Sequence, residues 1–140
     1  MDSKANTLTE KQKAALLFAN EAFYIAFATG DISAMEELWA RNFKVSCLHP
    51  GWEPLLGRNN VMASWNAVLP NKPSISHHAP NAFGVGDMGY VICYEKIGDS
   101  YLLATNVFVL ENNRWRMTHH QAGPTDSHPV EHEEKGGLTN

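Results

Sequence analysis

Tyr101-Leu102-Leu103-Ala104-Thr105-Asn106-Val107-Phe108-Val109-Leu110-Glu111-Asn112-Asn113-Arg114-Trp115-Arg116-Met117-Thr118-His119-His120-Gln121 is the stretch whose reading decides the fold. Two runs rich in β-branched and aromatic residues flank Asn112-Asn113, and asparagine tolerates the positive φ that a type I′ turn requires at both central positions. The stretch is therefore predicted to be a β-hairpin. With that turn Glu111 faces Arg114, and the period-two alternation of side chains sets the rest of the ladder. One face then carries Leu110 with Trp115, Phe108 with Met117, Asn106 with His119 and Ala104 with Gln121. The other carries Glu111 with Arg114, Val109 with Arg116, Val107 with Thr118 and Thr105 with His120. The charges all fall on the second face, so the first is predicted to be interior. It ends in a polar cluster of Asn106, His119 and Gln121 beyond a wall of Trp115, Phe108 and Met117. A small-molecule pocket needs such a wall with a few convergent polar groups, and a hydrogen-bonded core histidine gives the same pattern. Which of His119 and His120 points inward depends on the ladder being regular.

Residues 90–96 read as the preceding strand, turned by Ile97-Gly98-Asp99-Ser100 into Tyr101. Pairing Lys96 with Tyr101 brings Val91, Cys93 and Glu95 to the face of Leu102, Ala104 and Asn106. Glu95 thereby joins the polar cluster, at a strand end where water is near. The opposite face offers Tyr90, Ile92, Tyr94, Leu103, Thr105, Val107, Val109 and Thr118. That is too apolar to be left in water when helices cover only one face of a bent sheet. A second copy of the chain is the expected cover, meeting it through Tyr94, Leu103, Val107 and Val109. Residues 75–85 form a weak strand interrupted by Pro80, hence an edge strand or a bulged one, with His77 and His78 read as exposed.

Further towards the N-terminus, Thr7 and Glu10 have capping-box spacing. The segment after them sets Leu16, Ala19, Phe23 and Phe27 on one helical stripe, widened by Leu17, Tyr24 and Ala28. This helix is predicted to run to about Thr29 and stop at Gly30. Ser33 with Glu36 repeats the spacing before a short helix over 34–40 carrying Met35, Leu38 and Trp39. Residues 43–49 alternate, with Phe43, Val45, Cys47 and His49 towards the core. Pro50-Gly51 suits a type II turn just beyond the histidine. Trp52, Pro54, Leu55 and Leu56 make an unusually apolar loop, which reads either as a flap over a cavity or as a loop packed on the core. A third helix, 58–69, sets Val61, Trp65 and Val68 at i, i+4 and i+7 and is closed by Pro70. Residues 1–123 are read as one domain and 124–140 as a polar tail, with His128 and His132 unassigned.

At 140 residues the chain supports a single core. A formal charge of -4 with no Lys/Arg cluster excludes a nucleic-acid footprint. Cys47 and Cys93 are too few and too far apart for a disulfide scaffold or a zinc knuckle, so buried free thiols are expected. The first residues lack the basic start and apolar core of a signal peptide, and the apolar run 14–28 is broken by Asn20 and Glu21. A cytoplasmic protein with no membrane span is expected.

Two helices, a strand, a helix and then an antiparallel meander define an α+β domain. Its N-terminal helices pack on a strongly curved, mostly antiparallel sheet that wraps the first helix into a cone. The order of elements, the run Phe43-Lys44-Val45-Ser46-Cys47-Leu48-His49-Pro50-Gly51-Trp52, the Gly57-Arg58 start of the third helix, and the two strands ending in Val109 and Gln121 resemble the nuclear transport factor 2 superfamily. Within it they are most similar to the small bacterial SnoaL-like proteins, over about residues 8–123. The resemblance implies the nuclear transport factor 2-like cone and pairing through the outer sheet face. It implies no single activity, because the superfamily spans steroid isomerases, polyketide cyclases, dehydratases, transport factors and oligomerisation domains without chemistry. Its steroid isomerases use a tyrosine and aspartates in the cone; the inward positions here hold no aspartate, although Tyr24 offers a hydroxyl. Its dehydratases use pocket histidines, to which His49 and His119 are similar.

The enzyme reading makes His119 or His49 a general base near neutral pH. Glu95, its pKa raised by desolvation, would share the proton work. Asn106, Gln121, Trp52, Trp65, Tyr24, Phe108, Trp115 and Cys47 would hold a small, ring-bearing apolar molecule for isomerisation, dehydration, cyclisation or hydrolysis. His49, His119 and Glu95 are adequate zinc or iron ligands, but their spacing is not a known ligand motif, and neither a metal nor a cofactor is assigned. A non-catalytic binding module, or a dimerisation scaffold with a packed cone, remains the alternative.

Overall fold

The computed structural model describes residues 7–129. Helix α1 (Glu10–Thr29) begins at Thr9, not Thr7: the Thr9 hydroxyl accepts from Gln12 N at 3.0 Å, and Gln12 Oε1 accepts from Thr9 N at 2.9 Å. Thr9 and Gln12 have the same capping-box spacing, and here both halves of the box close. The helix ends at Gly30, in the left-handed conformation at φ 70°. A Cβ there would lie 2.7 Å from the Leu69 carbonyl oxygen, so the close approach as well as the φ demands glycine.

Asp31, rather than Ser33, caps α2 (Ile32–Leu38), its carboxylate accepting from Ala34 N at 3.0 Å. The first residue after the glycine supplies the acceptor, so the helix starts two residues earlier than its Ser-x-x-Glu pattern suggests. Helix α3 (Arg58–Val68) is tied to the end of α2 by Arg58, whose guanidinium donates to the carbonyls of Glu36, Trp39 and Ala40. Those are carbonyls at and just beyond a helix C-terminus, where intrahelical partners run out.

The strands are β1 (Ser46–Leu48), β2 (Leu55–Leu56), β3 (Ile75–Val85), β4 (Met88–Ile97), β5 (Ser100–Glu111) and β6 (Arg114–Pro124). They form one curved sheet in the order β2-β1-β6-β5-β4-β3, antiparallel except where β1 runs parallel to β6. The core between sheet and helices is built on Leu16, Phe23, Trp39, Trp65, Phe108 and Met117. No helix among the described residues is long and apolar enough to cross a membrane.

Asn112 and Asn113 take φ of 55° and 65°, as the type I′ turn requires. From that turn Glu111 pairs with Arg114, Leu110 with Trp115, Val109 with Arg116 and Phe108 with Met117, as predicted. The register then slips by one residue. Val107 pairs with His119, Asn106 with His120, Thr105 with Gln121 and Ala104 with Ala122. The extra residue is in β6, so Met117 and His120, three apart, are both buried. A β-bulge does this: it adds one residue to one strand and bends it. The expected pairs Asn106 with His119 and Ala104 with Gln121 are therefore corrected. A second irregularity, between His78 and Asn81 in edge strand β3, falls where Pro80 was expected to disturb the ladder.

On the outer sheet face, Tyr94 and Val109 are buried within the chain and cannot serve a partner as expected. The Tyr94 hydroxyl lies 2.8 Å from Ser127 Oγ, and Val109 packs into the core cluster. Phe83, Ile92 and Leu103 are left exposed there. Pro124 still belongs to β6, and Thr125 N donates to the Tyr101 carbonyl at 3.3 Å, so ordered contacts continue into the expected tail. His132 and the rest of residues 130–140 lie outside the described residues.

Candidate functional site

Four elements deliver polar side chains to one buried cluster. Asn20 and Tyr24 are i and i+4 on α1 and so share a face. Cys93 and Glu95 are i and i+2 on β4, Asn106 comes from β5 and His120 from β6. The Tyr24 hydroxyl donates to Glu95 Oε2 at 2.6 Å and accepts from Asn106 Nδ2 at 3.1 Å and from the Cys93 thiol at 3.4 Å. Asn106 Nδ2 also donates to Asn20 Oδ1 at 2.8 Å, and His120 Nδ1 lies 2.6 Å from Asn106 Oδ1.

These contacts fix a tautomer. The Asn106 amide nitrogen has two acceptors, so its oxygen is the group that meets His120, and an oxygen can only accept. His120 therefore carries its proton on Nδ1, and its Nε2 is a bare base, 3.8 Å from Glu95 Oε2. His49 is fixed in the opposite sense. Ser64 donates its hydroxyl to the Val61 carbonyl at 2.7 Å, so Ser64 Oγ accepts from His49 Nε2 at 3.0 Å and His49 Nδ1 keeps the lone pair. The two imidazole centres are 6.3 Å apart, and Trp65 stands beside both, 4.9 Å from His49 and 6.1 Å from His120.

Burial dominates the electrostatics. Glu95 is 2% exposed, and desolvation pushes its carboxyl up to about 7 against the opposing hydrogen bond from Tyr24. His120 is 1% exposed; burial, reinforced by the neighbouring His49 and His119, pushes its imidazole down to about 3. Between about 3 and about 7 the pair therefore holds one proton, on the carboxyl, facing an unprotonated imidazole nitrogen. Burial also lowers His49 and raises the Tyr24 hydroxyl well above its ordinary range. It pushes Cys47 and Cys93 up to about 12 and about 11, which keeps both as thiols.

Of the residues singled out in the sequence, Tyr24, Glu95 and Asn106 join this cluster. His49, Cys47 and Trp65 adjoin it, Cys47 Sγ lying 3.6 Å from His49 Nε2. Phe108 is buried in the core, and half-exposed Trp52 has its ring 4.9 Å from His49. His119 does not join. The bulge turns it to the other face of the sheet, where Nδ1 lies 2.7 Å from Ser46 Oγ, and Gln121 is exposed beside it. Trp115 is also apart, lining a groove on the outer side of α1. With His119 on the other face, the set His49, His119 and Glu95 does not converge, and no three His, Cys, Asp or Glu among the described residues are grouped as metal ligands.

The residues that the sequence reading missed are His120, Asn20, Cys93 and Ser64. His77, read as exposed, is half-buried with its ring stacked on Tyr24 at 4.8 Å. Asn20 was legible in principle, as an amide one turn before Tyr24 on an otherwise apolar helix face. One polar atom beside the cluster is unsatisfied: Trp65 Nε1 is buried without an acceptor.

The chain is similar to F-box protein SKIP8 of Arabidopsis thaliana, 29% identical over 112 residues that cover 77% of this chain and 48% of that protein. It thus spans about half the length of this curated relative. A protein from Streptomyces avermitilis, provisionally described as a dehydratase of the NTF2-like family, superposes with a TM-score of 0.75 at 29% identity, over 84% of this chain and 99% of that one. A protein from Thiobacillus denitrificans, provisionally described as a calcium/calmodulin-dependent protein kinase type II association domain, superposes with a TM-score of 0.65 at 33% identity, over 77% and 93%. Residues 17–127, which carry every member of the buried cluster, match the SnoaL-like domain family, and the chain belongs to that family within the NTF2-like superfamily.

Proposed function

We propose that the cone binds a small, apolar, ring-bearing molecule and moves a proton on it, with Glu95 as the acid and His120 Nε2 as the base. The observation that carries this reading is the pair itself: a carboxyl that keeps its proton to about neutral pH, 3.8 Å from an imidazole nitrogen whose lone pair Asn106 leaves free. Paired groups whose environments drive their proton affinities apart divide acid and base roles in this way. A direct bond is not made at 3.8 Å, but catalytic contacts are often long without substrate and tighten with it. Isomerisation, dehydration, cyclisation and hydrolysis all need such a transfer. The likeness to the Streptomyces avermitilis protein favours the dehydratase type. His49, with its lone pair on Nδ1, and the unsatisfied indole N–H of Trp65 would orient the bound molecule's oxygens.

The test is deuterium exchange at the acidic C–H of ring ketones, beginning with 2-tetralone in D2O and followed by NMR. The wild-type chain should accelerate exchange, and Glu95→Gln and His120→Asn should each lose most of a factor of about 10² to 10⁴. Exchange as fast in both variants as in wild type would end the proton-transfer reading.

A second reading rests on the exposed apolar side chains Phe83, Ile92 and Leu103 and on the likeness to the association domain from Thiobacillus denitrificans. In it the outer sheet face pairs two copies of the chain through Leu103 and Val107, while the cone serves as a packed core.

A further inference from the structure

A hollow of about 800 Å³ lies outside the cone, bounded by the outer side of α1, by α2 and by the turn between β5 and β6. Its floor follows from the sequence of α1. Ala14, Ala15, Ala19 and Ala22 carry nothing beyond Cβ, so the helix surface there is low. Phe18, Leu38 and Trp115 rise around it as walls, Phe18 with 71% of its surface exposed. A helix that already buries Leu16, Phe23 and Phe27 in the core has no packing reason for a second apolar face.

One end of the hollow is cationic. Arg114 and Arg116 line it against a single acid, Glu37. Arg116 Nη1 donates to the Glu37 carbonyl, and the same nitrogen lies 3.6 Å from the Glu37 carboxylate. That leaves Arg116 Nε buried with no acceptor. Guanidinium hydrogens are donors only, and a buried one left unmet is costly. Glu37 also pairs with Arg41 at 3.3 Å, so its one negative charge is divided between two arginines while Arg114 adds a third positive charge nearby. At the polar end the arginines thus outnumber the one lining carboxylate.

We propose that this groove binds a small amphipathic carboxylate, its flat ring body on the alanine floor between Phe18, Leu38 and Trp115, and its carboxylate at Arg114 and Arg116. The volume is within the range of about 300 to 1,000 Å³ typical of small-ligand pockets. A planar guanidinium fork matches a carboxylate in charge and in geometry, which a neutral head group does not. The site is separate from the buried Glu95 and His120 pair, so either can stand without the other.

The test uses 2-naphthoate and its neutral analogue 2-naphthylmethanol, titrated calorimetrically into the full chain, with its mass in solution measured in parallel. Wild type should bind naphthoate and prefer it to the alcohol. Arg114→Gln, at an exposed position, should weaken naphthoate about tenfold and leave the alcohol unchanged, as loss of one charge-assisted contact would. Ala15→Leu, a good helix former at an exposed position, should abolish binding of both by filling the floor. Asp87→Asn, in the exposed turn between β3 and β4, should change neither. No binding of naphthoate to wild type at millimolar concentration would overturn the proposal, and so would binding that Ala15→Leu leaves intact. A dimer that Phe18→Ser converts to a monomer would also overturn it, by assigning the groove to a second copy of the chain.

Discussion

His120 Nε2 lies 3.8 Å from Glu95 Oε2 with both side chains sealed from solvent, and burial drives their proton affinities in opposite directions. The consequence for stability has a definite sign. Glu95 keeps its proton to about 7 in the folded chain but gives it up near its ordinary 4.5 when unfolded, so the folded state holds the extra proton and stability falls as pH rises through that window. His120 stays neutral down to about 3 when folded but takes a proton near its ordinary 6.5 when unfolded, so stability falls as pH drops from 6.5 towards 3. Between 4.5 and 6.5 the two slopes oppose each other. His49, His77 and His119, which burial also lowers, add to the acid-side fall. Wild-type stability, followed by urea denaturation from pH 3.5 to 8, should therefore climb less steeply between 4.5 and 6.5 than it would without Glu95, and should fall just above that range. Glu95→Gln should remove the opposing slope across the whole window, so that stability climbs more steeply through the middle range to about 6.5 and then levels. A variant curve parallel to that of wild type would refute the assignment.

Asn106 decides which nitrogen of His120 is the base. Replacing its amide oxygen with a carboxylate keeps the acceptor for Nδ1–H and adds a negative charge beside the ring, which favours the imidazolium. Asn106→Asp should therefore raise the titration of His120 from about 3 into the range accessible to NMR, at the ring carbon between the two nitrogens. It also removes the donor to Asn20 and Tyr24, with an expected loss of about 2 kcal/mol. An unmoved His120 titration would show that the contact does not set the ring's charge.

Local chemistry carries the sequence reading a fixed distance and then fails at an identifiable residue. The Asn112-Asn113 turn specified the hairpin and the four pairs next to it, because each pair follows from the turn by counting one residue along each strand. Counting holds only while both strands advance together, and the extra residue in β6 beyond Met117 breaks it. Thr118 shows no sign of this, since a β-branched residue suits a bulged strand as well as a regular one. One unseen residue therefore exchanged His120 for His119. Glu95 was legible because the Lys96 with Tyr101 register runs without interruption through the β4 and β5 pairing. The depth of its burial was not, because helix α1 and not the strand itself closes over it with Tyr24. The groove beside Trp115 was invisible for a related reason: a run of alanines reads as helix propensity, and becomes a hollow only when α2 and the hairpin tip stand around it.

The dimer reading makes a separate demand on the outer sheet face. Leu103 is 40% exposed there, opposite Gly123 and Tyr94, so a charged side chain at 103 has room in a monomer. In a dimer the same charge would be buried without a partner, at a cost of about 3 to 5 kcal/mol. Leu103→Arg should therefore halve the mass seen by light scattering at micromolar concentration while leaving the thermal transition of the chain cooperative. A wild-type mass equal to that of one chain would dispose of the dimer altogether.

Trp65 separates a packed cone from one that holds a ligand. Its indole Nε1 is buried with no acceptor, so Trp65→Phe deletes a donor that contributes nothing favourable to the unliganded fold. Removing an unmet buried donor is worth about 1 to 3 kcal/mol, and the smaller ring gives back a similar amount through the void it leaves among Phe23, Phe27 and His49. The two effects oppose each other, and the variant should unfold within about 1 kcal/mol of wild type. If the indole N–H instead meets an oxygen of a bound molecule, the same substitution strips a hydrogen bond from the complex alone. Trp65→Phe should then weaken ligands that raise the melting temperature of wild type by about fivefold to tenfold, with unliganded stability unchanged. Equal ligand shifts in the two proteins would mean that the indole N–H serves no ligand, whereas an unliganded loss of several kcal/mol would mean that the indole fills the cone as core alone.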